Sequence, residues 1–144
     1  MTKARAAARL AAVQALYQFE MQATRLPRLL DEFHQHRLGA EIEDIQFAKA
    51  ETVFFDDVVS GVIARRDEVD AVISGKLAEG WSLERLDRTM LQILRAGTYE
   101  LMARADVPTG SAISEYVDVA HAFFEAREAK FVNGVLDAVA KSVR

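Results

Sequence analysis

Residues 86–103 read LDRTMLQILRAGTYELMA, and this stretch shows the periodicity of the fold most clearly. Its small and apolar positions follow helical spacing, at Leu86, Met90, Ile93, Leu94, Gly97 and Leu101. That spacing places them on one face of an α-helix. β-branched residues rarely alternate with polar ones, here or elsewhere in the chain, as they would in half-buried strands. The stretch therefore predicts a central helix from about Leu86 to Ala103.

Helical spacing extends over nearly the whole chain. A first helix is predicted from about Ala4 to Met21, with an apolar stripe of Ala6, Leu10, Val13, Tyr17 and Met21. Further helical segments follow near 29–33, 47–73, 111–124 and 128–143, with a break expected at Arg66 and Asp67. Ser82 is a candidate cap for the central helix. Only 2 prolines and 7 glycines interrupt these patterns, so we expect an all-α fold.

Short links between the predicted helices favour two small antiparallel helical bundles that share one core. A length of 144 residues suits a single domain covering residues 1–144. The acidic and aperiodic stretch at 39–46, which contains Glu41, Glu43 and Asp44, is the expected loop and the expected junction between two subdomains.

Composition excludes several classes of protein. The chain has no cysteine, which rules out disulfides, thiolate metal sites and cysteine nucleophiles, and favours a reducing compartment such as the cytoplasm. No apolar run approaches the roughly 20 residues that cross a bilayer, so we expect no membrane association. The net charge of −4 argues against broad binding of nucleic acid.

Catalytic and metal-binding patterns are not evident. His34 and His36 stand two residues apart, a spacing that does not bring side chains together on a helix, and His121 lies far along the chain. No glycine-rich phosphate loop occurs, and adjacent acids such as Asp56 and Asp57 are typical of solvated helix faces. We therefore expect neither an enzyme nor a cofactor nor a metal site.

The amino terminus is basic within an acidic chain. Lys3, Arg5 and Arg9 precede the first acidic residue, Glu20. Positive charge at the start of a helix opposes the helix dipole, which suggests that something outside the helix compensates it. Arg5 and Arg9 lie one turn apart, a spacing that allows two guanidinium groups to bind successive phosphates. The alternative is a solvated, frayed helix start.

Two further features depart from simple core patterns. In Lys130-Phe131-Val132-Asn133-Gly134, the aromatic ring of Phe131 beside a cation suits either the core or a base-stacking site, and Gly134 favours tight helix packing. In the preceding helix, Tyr116 and Phe123 belong to a second apolar stripe beside the one that seats the helix. Phe123 is thus a candidate anchor for a protein partner, flanked by Tyr116.

These stretches together resemble the NusB family of bacterial transcription antitermination factors. The resemblance rests on segments spread over the chain: ARLAAVQALY at 8–17, ILRAGTYEL at 93–101, Asp106-Val107-Pro108, and KFVNGVLD at 130–137. It implies two small helical bundles packed roughly perpendicular to each other. It also implies a heterodimer with the ribosomal protein NusE that binds boxA RNA within the transcription elongation complex, alongside RNA polymerase and other Nus factors.

The resemblance assigns roles to particular residues of this chain. The candidate RNA contacts are Lys3, Arg5, Arg9, Tyr17, Lys130 and Phe131. The candidate partner contacts are Tyr116, Phe123 and Arg127. The chain departs from the family where alanines occupy positions 6–8 of a usually arginine-rich cluster, which implies strong dependence on the partner, and where Arg127 replaces a typically acidic residue.

Other functions fit the same pattern. The chain is alternatively an adaptor that binds protein but no RNA, or a detached RNA-recognition module related to ribosomal RNA methyltransferases. The sequence also leaves open a monomer or a homodimer.

Overall fold

The computed structural model describes residues 3–35 and 49–144, and within these ranges it contains no strand. Its α-helices are α1 (Lys3–Gln22), α2 (Leu26–Phe33), α3 (Lys49–Ala64), α4 (Arg66–Ser74), α5 (Arg88–Ala103), α6 (Thr109–His121) and α7 (Ala126–Val143). A short 3-10 helix, Leu83–Arg85, precedes α5. The predicted all-α class is confirmed. The predicted junction at 39–46 lies outside the described residues, as does His36.

Local hydrogen bonding sets the helix boundaries. Asp87 caps α5, because its Oδ1 accepts hydrogen bonds from the backbone N–H groups of Thr89 at 2.8 Å and Met90 at 3.2 Å. Ser82, the expected cap, instead precedes the 3-10 helix and makes no side-chain capping bond. The predicted break near Arg66 is confirmed, since α3 ends at Ala64 and α4 begins at Arg66.

Helix α5 lies at the centre of the fold. It packs against α1, α3, α4, α6 and α7, while α1 also packs against α2 and α3, and α6 against α7. Every residue from Met90 to Leu101 is buried, so α5 is enclosed on all sides and not only on its apolar face. Its buried charged residues form ion pairs; Arg95 Nε lies 2.8 Å from Asp70 Oδ1, and its Nη1 lies 2.8 Å from Glu20 Oε1. These pairs tie α5 to α4 and α1.

Two glycines in helix interiors have opposite surroundings. A Cβ built on Gly97 would lie 2.8 Å from Leu136 Cδ1 and 3.3 Å from Tyr116 Cδ2, so Gly97 allows α6 and α7 to approach α5. A Cβ on Gly134 would meet no atom within 4 Å. The expectation of tight packing at Gly134 is therefore wrong, because that position of α7 faces outward.

Gly134→Ala is expected to raise the free energy of unfolding by about 0.5–1 kcal/mol, since alanine restricts the unfolded chain and favours the helix without a clash. Urea unfolding of the purified variant measures the change. Gly97→Ala is the matched control and is expected to lower stability, because its methyl group would overlap Leu136. Destabilisation by Gly134→Ala would show that another group covers this face of α7.

Candidate nucleic-acid interface

Arg9, a predicted phosphate contact, is completely buried. Its guanidinium binds Glu100 of α5 through Nε at 2.9 Å and Nη2 at 3.0 Å, and Glu115 of α6 through Nη1 at 3.1 Å. The hydroxyl of Tyr116 also donates to Glu100. Although Arg9 lies one turn from Arg5 on α1, its side chain is held in the core by these carboxylates. The prediction that it contacts RNA is therefore wrong.

Tyr116, a predicted partner contact, belongs to the same buried network and is 0% exposed. Burial, reinforced by the negative charge of Glu100, raises the pKa of Tyr116 well above its ordinary value. The second apolar stripe of α6 is buried at Ala112, Tyr116 and Val119, because α1, α5 and α7 pack on this helix, and only Phe123 at its end is exposed. The prediction for Tyr116 is therefore wrong as well.

The accessible cations of the amino terminus are Lys3, which is exposed, and Arg5, which is half-buried. The Arg5 guanidinium carbon lies 4.4 Å from the centroid of the buried Phe54 ring, which also contacts Arg9 at 4.9 Å and Arg104 at 5.0 Å. Such cation–π contacts restrict the orientation of Arg5. Phe54, which the sequence did not indicate, thus orients the amino-terminal cation.

A groove at the other end of α1 brings together one predicted RNA contact and one predicted partner contact. Tyr17 is 39% exposed and Phe123 is 42% exposed. Both line a cavity of about 280 Å³ together with Val13, Gln14, Gln18, Gln22, Phe33 and Thr89. Phe123 follows the end of α6, whereas its neighbour Phe124 is half-buried. The expectation that one of these two phenylalanines is exposed is confirmed.

A second cleft, about 530 Å³ in volume, adjoins the start of α7. Phe131 is half-buried: it packs on the core and also lines this cleft, so its position is compatible with both the predicted core role and the predicted base-stacking role. Arg127 also lines the cleft and its side chain is 92% exposed, while Lys130 is exposed on the same helix. The remaining lining residues are Trp81, Arg85, Leu86, Asp87, Met90, Phe124 and Glu128.

The sequence did not indicate Trp81 or Arg85 as site residues. Trp81 is the only tryptophan, is 54% exposed, and lies between α4 and α5 in a stretch with two glycines, Gly75 and Gly80. A single large aromatic residue in the connection between two helices was the available signal.

The predicted contacts form two groups. Lys3 and Arg5 lie at the start of α1, whereas Tyr17, Phe123, Arg127, Lys130 and Phe131 lie near the α6–α7 connection. At about 1.5 Å of rise per residue, Lys3 and Tyr17 are about 21 Å apart along α1. An extended ligand would be needed to reach both groups.

Within residues 3–35 and 49–144, no three side chains of the kinds that bind metals converge. His34 Nε2 instead lies 2.6 Å from Asp56 Oδ1, which links α2 to α3. None of the described helices is long and apolar enough to span a membrane.

Related proteins match the chain over nearly its full length. Transcription antitermination protein NusB of Novosphingobium aromaticivorans is 76% identical over 142 residues, covering 99% of this chain and 96% of that protein. The protein of the same name from Caulobacter vibrioides is 48% identical over 140 residues, covering 97% and 94%.

Solved structures share the fold. NusB of T. maritima gives a TM-score of 0.81 at 31% identity, covering 98% of this chain and 93% of the other. A chain from the crystal structure of antitermination factors NusB and NusE in complex with dsRNA gives a TM-score of 0.83 at 25% identity, covering 99% of both chains. The expected arrangement of two small helical bundles is confirmed by these similarities. Because the NusB family model also matches residues 6–141, this chain belongs to the NusB family.

Proposed function

We propose that the chain is a transcription antitermination factor that binds boxA-type single-stranded RNA as a heterodimer with the ribosomal protein NusE. In this role it joins the transcription elongation complex in the cytoplasm and supports processive transcription of ribosomal RNA operons. It acts by binding alone, without catalysis and without a cofactor.

One observation carries this proposal: exposed aromatic and cationic side chains converge near the α6–α7 connection of a net acidic protein. Tyr17 and Phe123 line one groove, and Phe131 and Arg127 line the neighbouring cleft beside Lys130. Aromatic faces stack on unpaired bases, and cations neutralise phosphates. Bases in a double helix are already stacked and paired, so open aromatic clefts favour single-stranded RNA.

The candidate contacts divide between RNA and partner. Lys3, Arg5, Tyr17, Lys130 and Phe131 are the proposed RNA contacts, and Phe123 and Arg127 are the proposed NusE contacts. The similarity to a chain from a structure of NusB and NusE with dsRNA supports a NusE partner and an RNA ligand, whereas the proposal of a single strand rests on the aromatic clefts. Arg9 and Tyr116 instead hold α1, α5 and α6 together in the core.

A salt titration of RNA binding tests the proposal. Labelled boxA RNA and a scrambled RNA of the same composition are titrated with the chain, with NusE and with both proteins. We expect tight, sequence-dependent binding only for both proteins together, weakening as salt rises. Binding of NusE without any RNA binding would instead support the protein adaptor, and RNA binding unaffected by NusE would support a separate RNA-recognition module.

Arg5→Ala is expected to weaken RNA binding of the heterodimer and to lower the slope of log affinity against log salt by roughly 0.7, the value for one phosphate contact on a single strand. Thermal stability should change little, since loss of the cation–π contact with Phe54 is offset by removal of a positive charge that opposes the helix dipole. The exposed Arg66 at the start of α4 supplies the control, Arg66→Ala. Equal salt slopes for wild type and Arg5→Ala would remove Arg5 from the RNA site.

Phe123→Ala is expected to weaken NusE binding by more than about 1 kcal/mol and to leave the fold intact, because the ring is 42% exposed. RNA binding by the isolated chain should stay unchanged, whereas RNA binding by the heterodimer should fall through lost assembly. Isothermal titration calorimetry against NusE measures the effect, with Met21→Ala, a 52% exposed position, as the control. An unchanged affinity for NusE would place the partner interface elsewhere.

A further inference from the structure

Trp81 and Phe131 face each other across the larger cleft. Their ring centroids are 6.5 Å apart and their planes are inclined by 45°. Phe131 is held by its position on α7 and by packing on the core, whereas Trp81 is 54% exposed in the connection before α5. Phe131 therefore forms the more buried wall of this pair, and Trp81 forms the more exposed one.

The spacing of the two rings suits one inserted base. Stacked bases are about 3.4 Å apart, so a base between two rings separates them by about 7 Å. Rotation of the exposed Trp81 ring out of its 45° tilt would bring both rings parallel to such a base. The cleft of about 530 Å³ is within the size range of sites for small flat ligands.

The charges around the cleft favour a nucleotide. Arg85 and Arg127 line it, and both are exposed. Arg85 Nη1 donates to the carbonyl oxygen of Gly80 at 2.7 Å, so Arg85 would offer its remaining N–H groups to a phosphate that accompanies the base. The two carboxylates of the cleft already serve local structure. Asp87 caps α5, and Glu128 Oε1 accepts the backbone N–H of Glu125 at 3.1 Å while its Oε2 lies 3.2 Å from Arg127 Nε.

We propose that Trp81 and Phe131 clamp one unpaired base of the bound RNA, with Arg85 beside its phosphate. This inference rests on the proposed function, because it requires RNA on this surface. It extends the RNA site from α7 onto the connection between α4 and α5, and it makes Trp81 a base-stacking residue of this chain.

Tryptophan fluorescence reports on this site directly, because Trp81 is the only tryptophan in the chain. The isolated chain and its heterodimer with NusE are each titrated with boxA RNA under red-edge excitation, while anisotropy of labelled RNA measures binding independently. Stacking of a base is expected to quench Trp81 emission with the same midpoint as the anisotropy change. RNA binding without any change in Trp81 emission would overturn the clamp and leave the proposed function standing.

Variants and an abasic scan locate the base. Trp81→Ala is expected to weaken RNA binding of the heterodimer about 5- to 150-fold, the range that corresponds to loss of one base–aromatic stack, with an unchanged melting temperature. Phe131→Leu keeps apolar volume and removes the second ring. Val53→Ala, at a 57% exposed position of α3, is the matched control.

RNAs that lack one base at a time complete the test. One abasic position should weaken binding to wild type and to Val53→Ala. It should have little further effect on Trp81→Ala, because that variant has already lost the stack on the clamped base. Independent, multiplicative effects at every position would overturn the clamp. Quenching of Trp81 by NusE alone, with wild-type RNA affinity of Trp81→Ala, would assign the cleft to the protein partner instead. Absence of RNA binding by every form, including wild type, would overturn the proposed function itself.

Discussion

Arg9→Met is expected to destabilise the chain by about 3–5 kcal/mol, the range for removal of one partner from a buried ion pair. The side chains of Arg9 and Glu100 are both 0% exposed, so the substitution leaves the Glu100 carboxylate buried without its cation. Tyr116 would remain as a hydrogen-bond donor to Glu100 but cannot neutralise its charge. Urea unfolding followed by far-UV circular dichroism measures the loss of stability.

The double variant Arg9→Met/Glu100→Gln is the control for this prediction. Removal of both charges should restore part of the stability, because a neutral amide can still accept the hydrogen bond from Tyr116. Similar losses for the double variant and for Arg9→Met alone would show that packing, not charge, dominates. A stable Arg9→Met with reduced RNA affinity would contradict the structure and return Arg9 to the RNA site.

Ionisation of Tyr99 is expected to lower the free energy of unfolding by about 2–3 kcal/mol between pH 10 and 12. Its hydroxyl donates to Asp57 Oδ1 at 2.7 Å, and burial together with Asp57 raises the pKa of Tyr99 from 10.0 to about 12. In the unfolded chain the phenol ionises near pH 10, so over this interval the unfolded state holds fewer protons than the folded state. The free energy of unfolding therefore decreases as pH rises.

Comparison with Tyr99→Phe isolates this contribution. The variant should be less stable than wild type at neutral pH, since it loses the hydrogen bond to Asp57, but its stability should decrease less steeply above pH 10. Tyr116 is unchanged in both proteins, so its own ionisation cancels in the difference. Parallel curves of unfolding free energy against pH would contradict the raised pKa of Tyr99.

Much of the fold was predictable because helix formation is mainly local. The spacing of Leu86, Met90, Ile93 and Leu94 predicted a helix that the structure contains, and the polar pair Arg66 and Asp67 marked the break between α3 and α4. The full enclosure of α5 was not predictable from its periodicity. The charge of its buried Arg95 is neutralised by residues distant in sequence, Asp70 and Glu20.

The candidate site was predictable only in part. Exposure of Lys3, Tyr17, Phe123, Arg127 and Lys130 agrees with a binding surface. Trp81 was missed because its proximity to Phe131 depends on the path of the chain between α4 and α5, which contains no helical periodicity. Phe54 was missed because it is buried and acts through the cations that stack on it.

The sequence by itself determined the helical class, most helix boundaries and the family, because local periodicity, capping chemistry and ordered motifs are properties of neighbouring residues. Only the tertiary structure decided which arginine of α1 serves the core and which remains accessible. Arg9 meets carboxylates 91 and 106 residues away, at Glu100 and Glu115, whereas Arg5 stacks on Phe54 near the surface. A one-turn spacing on a helix predicts that two side chains share a side, but the neighbouring helices determine which of them is buried.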